Sequence, residues 1–449
     1  MKHVSTILIK NVQIITMNQQ EEIIQGDLYI ENDRIKEIGR NLDYGADKVI
    51  NAKNKTVIPG FIQTHIHLCQ ALFRGQADDL ELMDWLQKKI WPLEASHDEE
   101  SSYYSAMLGL GELIQSGTTA IVDMETVNHT DAAFRAMDES GIRCLAGKVM
   151  MDMGDDLPDL LLEDTTSSIQ RSVDLLEKWN NHDNGRIRYA FCPRFVVSCT
   201  EDLLKEVRDL SKQYNVKVHT HASENRGEIE IVEMQRGMRN VVYLDHIGLA
   251  NEDLILAHCV WLDDEEKRII KERGVKMSHC PGSNLKLASG IADVPDMLEL
   301  EASVSLGADG APCNNNLDMF NEMRLASIIQ KPEHGPTAMG ARMVFRMATI
   351  GGAEAVGLDD EIGSLEVGKK ADLAILDLNQ FHTYPSSNVD PISRIVYAAT
   401  RADVETTIID GKMVMDKGIV KTVDKDIVLR EADKSIERLT KRLPTIAKV

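Results

Sequence analysis

Ligand-type side chains stand at the ends of four separated apolar runs, and that recurrence narrows the folds open to this 449-residue chain more than any other feature. The run Pro59-Gly60-Phe61-Ile62-Gln63-Thr64-His65-Ile66-His67 comes first. His219-Thr220-His221-Ala222-Ser223-Glu224, Leu256-Ala257-His258 and Leu306-Gly307-Ala308-Asp309-Gly310 follow. Each succeeds a short aliphatic or β-branched stretch that reads as a buried strand: Lys55 to Ile58, Val216 to Val218, Leu254 to Leu256 and Val304 to Leu306. In a (β/α)8 barrel, functional residues gather at the C-terminal ends of the strands. Several imidazoles with one carboxylate are what a catalytic divalent metal with an open position for water requires. The pattern predicts a metal-dependent hydrolase of the α/β class, built on a TIM-like (β/α)8 barrel.

The rhythm of the chain changes at both ends. Before residue 59, short runs such as Thr6 to Lys10, Asp27 to Glu31 and Arg34 to Ile38 are split by turn residues, as in antiparallel β-structure. Ala371 to Asp377 and Val404 to Lys412 repeat that style near the C-terminus. Between them, helical patterns at Ser101 to Ser116, Thr200 to Tyr214 and Asp264 to Arg273 alternate with apolar strands, the signature of βαβ units. The expected division is therefore 1–58 and 361–449 in one small composite β-sandwich around a metal-dependent barrel at 59–360. A last amphipathic helix, about Lys425 to Arg442, is expected to pack on a surface or on a neighbouring subunit.

Composition excludes several classes. A net charge of -22 argues against nucleic acid or an anionic membrane as partner. The seven cysteines are scattered, without a CxxC pair, so neither a disulfide framework nor a thiolate zinc cluster is expected. No apolar run approaches the ~20 residues of a membrane helix, and the N-terminus has no signal-peptide core. A cytoplasmic location is the expectation.

His65 and His67, two apart on a strand, project to one face and can share an ion. His221 is the third candidate imidazole, although His219, two residues earlier, could compete for the role. Glu224, three residues beyond His221, is suited to moving protons, provided partial burial brings its pKa near the working pH. His258 could orient the attacking water, coordinate the metal, or be a structural histidine. Asp309 can complete the coordination sphere and accept the proton of the water. Zinc suits these donors, and iron or manganese would also fit.

These four segments resemble the amidohydrolase superfamily, as do Ile362-Gly363-Ser364-Leu365-Glu366-Val367-Gly368-Lys369-Lys370-Ala371-Asp372-Leu373 and Ile409-Asp410-Gly411-Lys412 towards the C-terminus. The resemblance covers nearly the whole chain. Within the superfamily the chain is most similar to the branch of triazine hydrolases and adenosine-type deaminases. Ser278 to Leu287 and Gly310 to Phe320 resemble the deaminases of 5′-deoxyadenosine, methylthioadenosine and S-adenosylhomocysteine. That resemblance implies one divalent metal per chain on His65, His67, His221 and Asp309, with Glu224 and His258 as acid-base groups. It also implies that Trp85 contacts the nucleoside and that Glu94 accepts hydrogen bonds from ribose hydroxyls.

Two positions depart from the relatives. Lys148 stands where an arginine holds the amino-acid tail of S-adenosylhomocysteine, and Arg194 stands where many have a histidine in Cys192-Pro193-Arg194. Both are candidates for substrate contact, and the changes favour a small 5′ group. 5′-Deoxyadenosine and methylthioadenosine rank first, adenosine next and S-adenosylhomocysteine last. The competing reading on the same scaffold is a deaminase of guanine or an oxidised purine, or a triazine hydrolase. A non-enzymatic scaffold is disfavoured by the intact set of six. The small-molecule substrate is the expected partner, together with further copies of the chain in a homo-oligomer.

Overall fold

A computed structural model describes residues 4–154 and 156–446, with side chains through 443. Strands from both ends of the chain meet in one nine-stranded sheet. Its order runs Ile419–Val420, Lys412–Asp416, Val404–Ile409, Leu373–Leu376, Thr56–Pro59, Thr6–Ile15, Ile23–Glu31 and Arg34–Gly39, with Lys48–Asn51 paired to Thr6–Ile15. The seam is the antiparallel pairing of Leu373 with Pro59 through Leu376 with Thr56.

The middle of the chain is a succession of parallel strands separated by helices. Ile187–Tyr189, Arg143–Gly147, Thr118–Met124, Phe61–His67 and Asp309–Gly310 form one set; Val218–Ala222, Leu254–His258, Lys276–His279 and Ser303–Leu306 form another. Parallel bridges from Phe191 to Val218 and from Phe195 to His221 join the two. Parallel sheets need both faces covered, and these strands are almost wholly buried. The helix Glu99–Gln115 begins with a reciprocal cap between Asp98 and Ser101, and Asp263 with Glu266 does the same for Asp264–Arg273.

One expectation changes here. The strand before the first histidines, Thr56–Pro59, belongs to the outer sheet, and His65 and His67 lie within a separate strand, Phe61–His67. Gly60 makes the crossover, because a Cβ there would stand 2.1 Å from the Thr119 side chain. A buried ion pair ties the two regions together. Arg143 Nε donates to Asp372 Oδ2 at 2.7 Å and its Nη2 to Asp410 Oδ1 at 3.0 Å. No helix among the described residues is long and apolar enough to cross a membrane.

Candidate active site

Strand ends bring all six predicted residues to one place. His65 Nε2 and His67 Nε2 each lie 3.3 Å from Asp309 Oδ1. His221 Nε2 is 3.4 Å from His67 Nε2. His258 Nε2 stands 3.5 Å from Glu224 Oε2 and 3.8 Å from Asp309 Oδ2. All six side chains are buried. Ser223, His258, Cys259 and Asp309 adopt left-handed backbone conformations, with φ of 54°, 72°, 49° and 62°. Non-glycine residues held there cluster at functional sites, where the surrounding structure must over-determine them.

Each ring is oriented from behind. His67 Nδ1 donates to the Met124 carbonyl and His221 Nδ1 to the Arg194 carbonyl, both at 2.7 Å. A carbonyl only accepts, so in both rings Nδ1 carries the proton and Nε2 presents a lone pair inward. His219 does this for His65 at one remove. Its Nδ1 donates to the Ile255 carbonyl at 3.1 Å, which leaves its Nε2 to accept from His65 Nδ1 at 2.8 Å. His219 therefore stands behind His65, and His221 is the one that borders the cavity.

The electrostatics agree with neutral ligands. Burial lowers His65 to about 3, against the pull of Asp309. It also lowers His67, and takes His221 well below the ordinary histidine range. Burial would raise Asp309, but the close approach of His65, then the fields of His258 and His67, hold it well below the usual carboxylate range. His65 Nε2 is buried without a hydrogen-bond partner. Lone pairs of imidazole and carboxylate pointing at one another are costly unless a cation lies between them. The ligand atoms of His65, His67 and Asp309 fall within 4.8 Å of one another, as do those of His65, His221 and His258. Nitrogen donors with one carboxylate fit a divalent transition metal.

Glu224 differs from the ligands. Burial raises its carboxyl to about 7, with Ser289 Oγ 3.4 Å from Oε1. His258 is raised because the Glu224 and Asp309 carboxylates outweigh its burial, and its Nδ1 donates to Asn284 Oδ1 at 2.9 Å.

The substrate side departs from expectation. Trp85 lines the cavity beside Leu82, Leu86, Phe195 and Leu287, and Arg194 lines it with Gln70. Glu94 lies behind them. Arg194 Nη1 donates to Glu94 Oε2 at 2.6 Å and Nη2 to Oε1 at 3.2 Å, while Gln70 Nε2 donates to Oε1 at 2.8 Å. Lys148 does not border the cavity. Its ammonium is buried in an ion pair with Glu163 and donates to the Val149 carbonyl at 2.9 Å. The expected substrate contact by Lys148 is thus corrected, since desolvating an ammonium requires the paired carboxylate it has found. Gln70, Asn284 and Ser283, whose Oγ donates to Asp309 Oδ2 at 2.6 Å, are not among the expected site residues, and His219, expected only as a rival ligand, stands behind one instead. Gln70 sits three residues after His67 in a 3-10 turn, Leu68–Phe73, where no periodicity marks it.

Comparison with known proteins agrees with this arrangement. Residues 56–414 match the model of the amidohydrolase family, and the chain belongs to that family. It is 44% identical to a 5′-deoxyadenosine deaminase of Methanobrevibacter smithii, over 97% of this chain and 98% of the relative. It is 38% identical to a 5-methylthioadenosine/S-adenosylhomocysteine deaminase of Dictyoglomus turgidum, over 97% and 99%. An adenosine deaminase from Xanthomonas campestris, solved with bound zinc, aligns with a TM-score of 0.91 at 31% identity and covers 97% of this chain and 99% of its own.

Proposed function

We infer that this protein is a hydrolytic deaminase of a 5′-modified adenosine, releasing ammonia and leaving the inosine analogue. The observation that carries the reading is a buried carboxyl poised near neutrality, Glu224, beside the His65, His67, His221 and Asp309 cluster in a cavity walled by Trp85. The named relatives support the purine nucleoside as substrate. 5′-Deoxyadenosine and methylthioadenosine rank ahead of adenosine and S-adenosylhomocysteine. Lys148 is bound to Glu163 and offers nothing to an amino-acid tail.

His65, His67, His221 and Asp309 would hold one divalent metal, zinc by preference, with iron or manganese compatible with the same donors. When bound, such an ion supplies a Lewis acid that lowers the pKa of water from ~15.7 towards 7. Glu224 hands a proton to the ring nitrogen beside C6, where the product keeps it, and a carboxyl pKa of about 7 lets Glu224 give one proton and take up another at neutral pH. His258 and Asp309 orient the attacking water and take its proton. That proton passes to the departing amino group, C6 expels it as ammonia, and the hydroxyl left on C6 returns a proton to Glu224 as the carbonyl forms. The Trp85 indole covers the apolar face of the nucleoside.

At the level of architecture, the proposal is that the parallel strands close a (β/α)8 barrel over 59–360. Segments 1–58 and 361–449 would form its composite β-sandwich, and copies of the chain would assemble as a homo-oligomer; the terminal helix Lys425–Ile446 lies on Glu99–Gln115 of its own chain, with Arg438 Nη2 donating to Glu100 Oε2 at 2.9 Å. All seven cysteines are unpaired and buried, which fits a reducing cytoplasm.

An ammonia-release assay on metal-replete protein tests the function, comparing 5′-deoxyadenosine, methylthioadenosine, adenosine, S-adenosylhomocysteine and guanine. Fast turnover of the first two is expected. Activity on guanine alone would sink the nucleoside reading while keeping the metal site.

A further inference from the structure

Gln70 is fully buried in the cavity wall, and its Oε1 has no hydrogen-bond partner. The orientation of this amide follows from its neighbour. Glu94 is a carboxylate held by Arg194, so the atom facing it at 2.8 Å must be the donor nitrogen, which turns Oε1 the other way. Gly310, immediately after Asp309, makes room for that oxygen: a Cβ there would stand 2.1 Å from Gln70 Oε1. Burying a carbonyl oxygen without a donor is costly, and a cavity wall is where a ligand can supply one. Arg194 borders the same cavity with two nitrogens on Glu94 out of a guanidinium with five N–H donors. A group that meets both must donate to Gln70 and accept from Arg194. A hydroxyl does both.

We propose that Gln70 is a specificity residue whose Oε1 accepts the proton of a sugar hydroxyl, with Arg194 donating to the same hydroxyl oxygen and Glu94 anchoring the pair. The proposal rests on the nucleoside reading and adds an acceptor beside Glu94, whose Oε2 takes a single hydrogen bond, from Arg194.

The test measures kcat, KM and bound metal for the wild type, Gln70→Leu and Gly310→Ala. The substrates are 5′-deoxyadenosine and its 2′-deoxy and 3′-deoxy analogues. Gly310→Ala leaves Gln70 in the chain but drives a methyl against Oε1, and Gly310 has an ordinary negative φ of -75° that alanine accepts. Both variants are expected to lose about tenfold to a hundredfold in kcat/KM on 5′-deoxyadenosine, mainly through KM, with metal retained. On the analogue lacking the recognised hydroxyl they should lose little further. Equal losses on all three substrates would overturn the proposal alone. Turnover of none of them by the metal-replete wild type would overturn the nucleoside reading and this proposal with it.

Discussion

The metal half of the site and its substrate half are built by different means. His65, His67 and His221 sit within strands, and the hydrogen bonds that aim two of them end on backbone carbonyls. The third is aimed through His219, itself fixed by a carbonyl. The substrate half depends on side chain meeting side chain across long stretches of chain, as when Arg194 reaches Glu94 a hundred positions away. A half anchored to backbone is rigid and repeats wherever the strands repeat. A half made of paired side chains can be rewritten by single substitutions, which is where specificity between related substrates can change.

The largest effect should come from the one residue proposed for both coordination and proton transfer. Asp309→Asn should reduce turnover to the assay background and weaken metal binding, checked by kcat and by metal content after dialysis. Wild-type activity in that variant would remove the mechanism. Glu224→Gln comes next: the rate should fall by a factor on the order of 10² or more, with the metal retained. Loss of the ion together with the rate would mean that Glu224 belongs to the metal half after all.

The same division explains what could be read from the sequence. A ligand at a strand end announces itself by position, because an apolar run fixes where the strand stops and the two-residue repeat fixes the face. His65, His67, His221, His258 and Asp309 were legible for that reason, and the outer sheet from both chain ends was legible from its alternating runs. Lys148 and Arg194 carry the same kind of charge and looked alike in sequence. The fold sends one to Glu163, away from the cavity, and the other to Glu94 on its wall. Gln70 was invisible, and His219 was legible only as a rival ligand and not as the partner of His65, because nothing local distinguishes a hydrogen-bonding partner in a turn or strand from any other polar residue. The separate strand Phe61–His67 was not legible, because Gly60, one residue, divides it from Thr56–Pro59, a strand of similar composition.

His219 offers the sharpest probe of the backbone-anchored half. It touches no proposed substrate atom, yet it keeps the proton on His65 Nδ1. His219→Leu removes that acceptor and leaves the His65 ring free to change tautomer. Metal affinity should fall about tenfold to a hundredfold, with kcat of the metal-saturated enzyme changed less than the affinity. Competition against a chelator gives the affinity directly. An unchanged affinity would show that the strand alone suffices to aim His65.

Anchoring the metal half also has a cost, and it is measurable as a pH dependence of stability. Met124, whose carbonyl holds His67, lies between Asp123 and Glu125, two buried carboxyl groups on one strand end. Asp123 accepts from the Leu68 amide at 2.8 Å, yet burial pushes it up to about 7. Burial and then the charge of Asp123 push Glu125 well above the carboxylate range. In the unfolded chain both groups titrate at about 4. The folded state therefore binds more protons, so the stability associated with this pair is complete below about pH 4 and is lost as pH rises through the folded-state values. Each pH unit removes up to about 1.4 kcal/mol per proton held. Glu125→Gln leaves Asp123 free to ionise without a like charge beside it. Relative to wild type, its melting temperature should rise between pH 5 and pH 8, by something on the order of a few degrees. Other raised carboxyls such as Glu322 are common to both proteins and cancel in the difference. A difference in melting temperature that stays the same at pH 5 and pH 8 would show that the two carboxyls do not share a proton, and that the aim of His67 is achieved without this penalty.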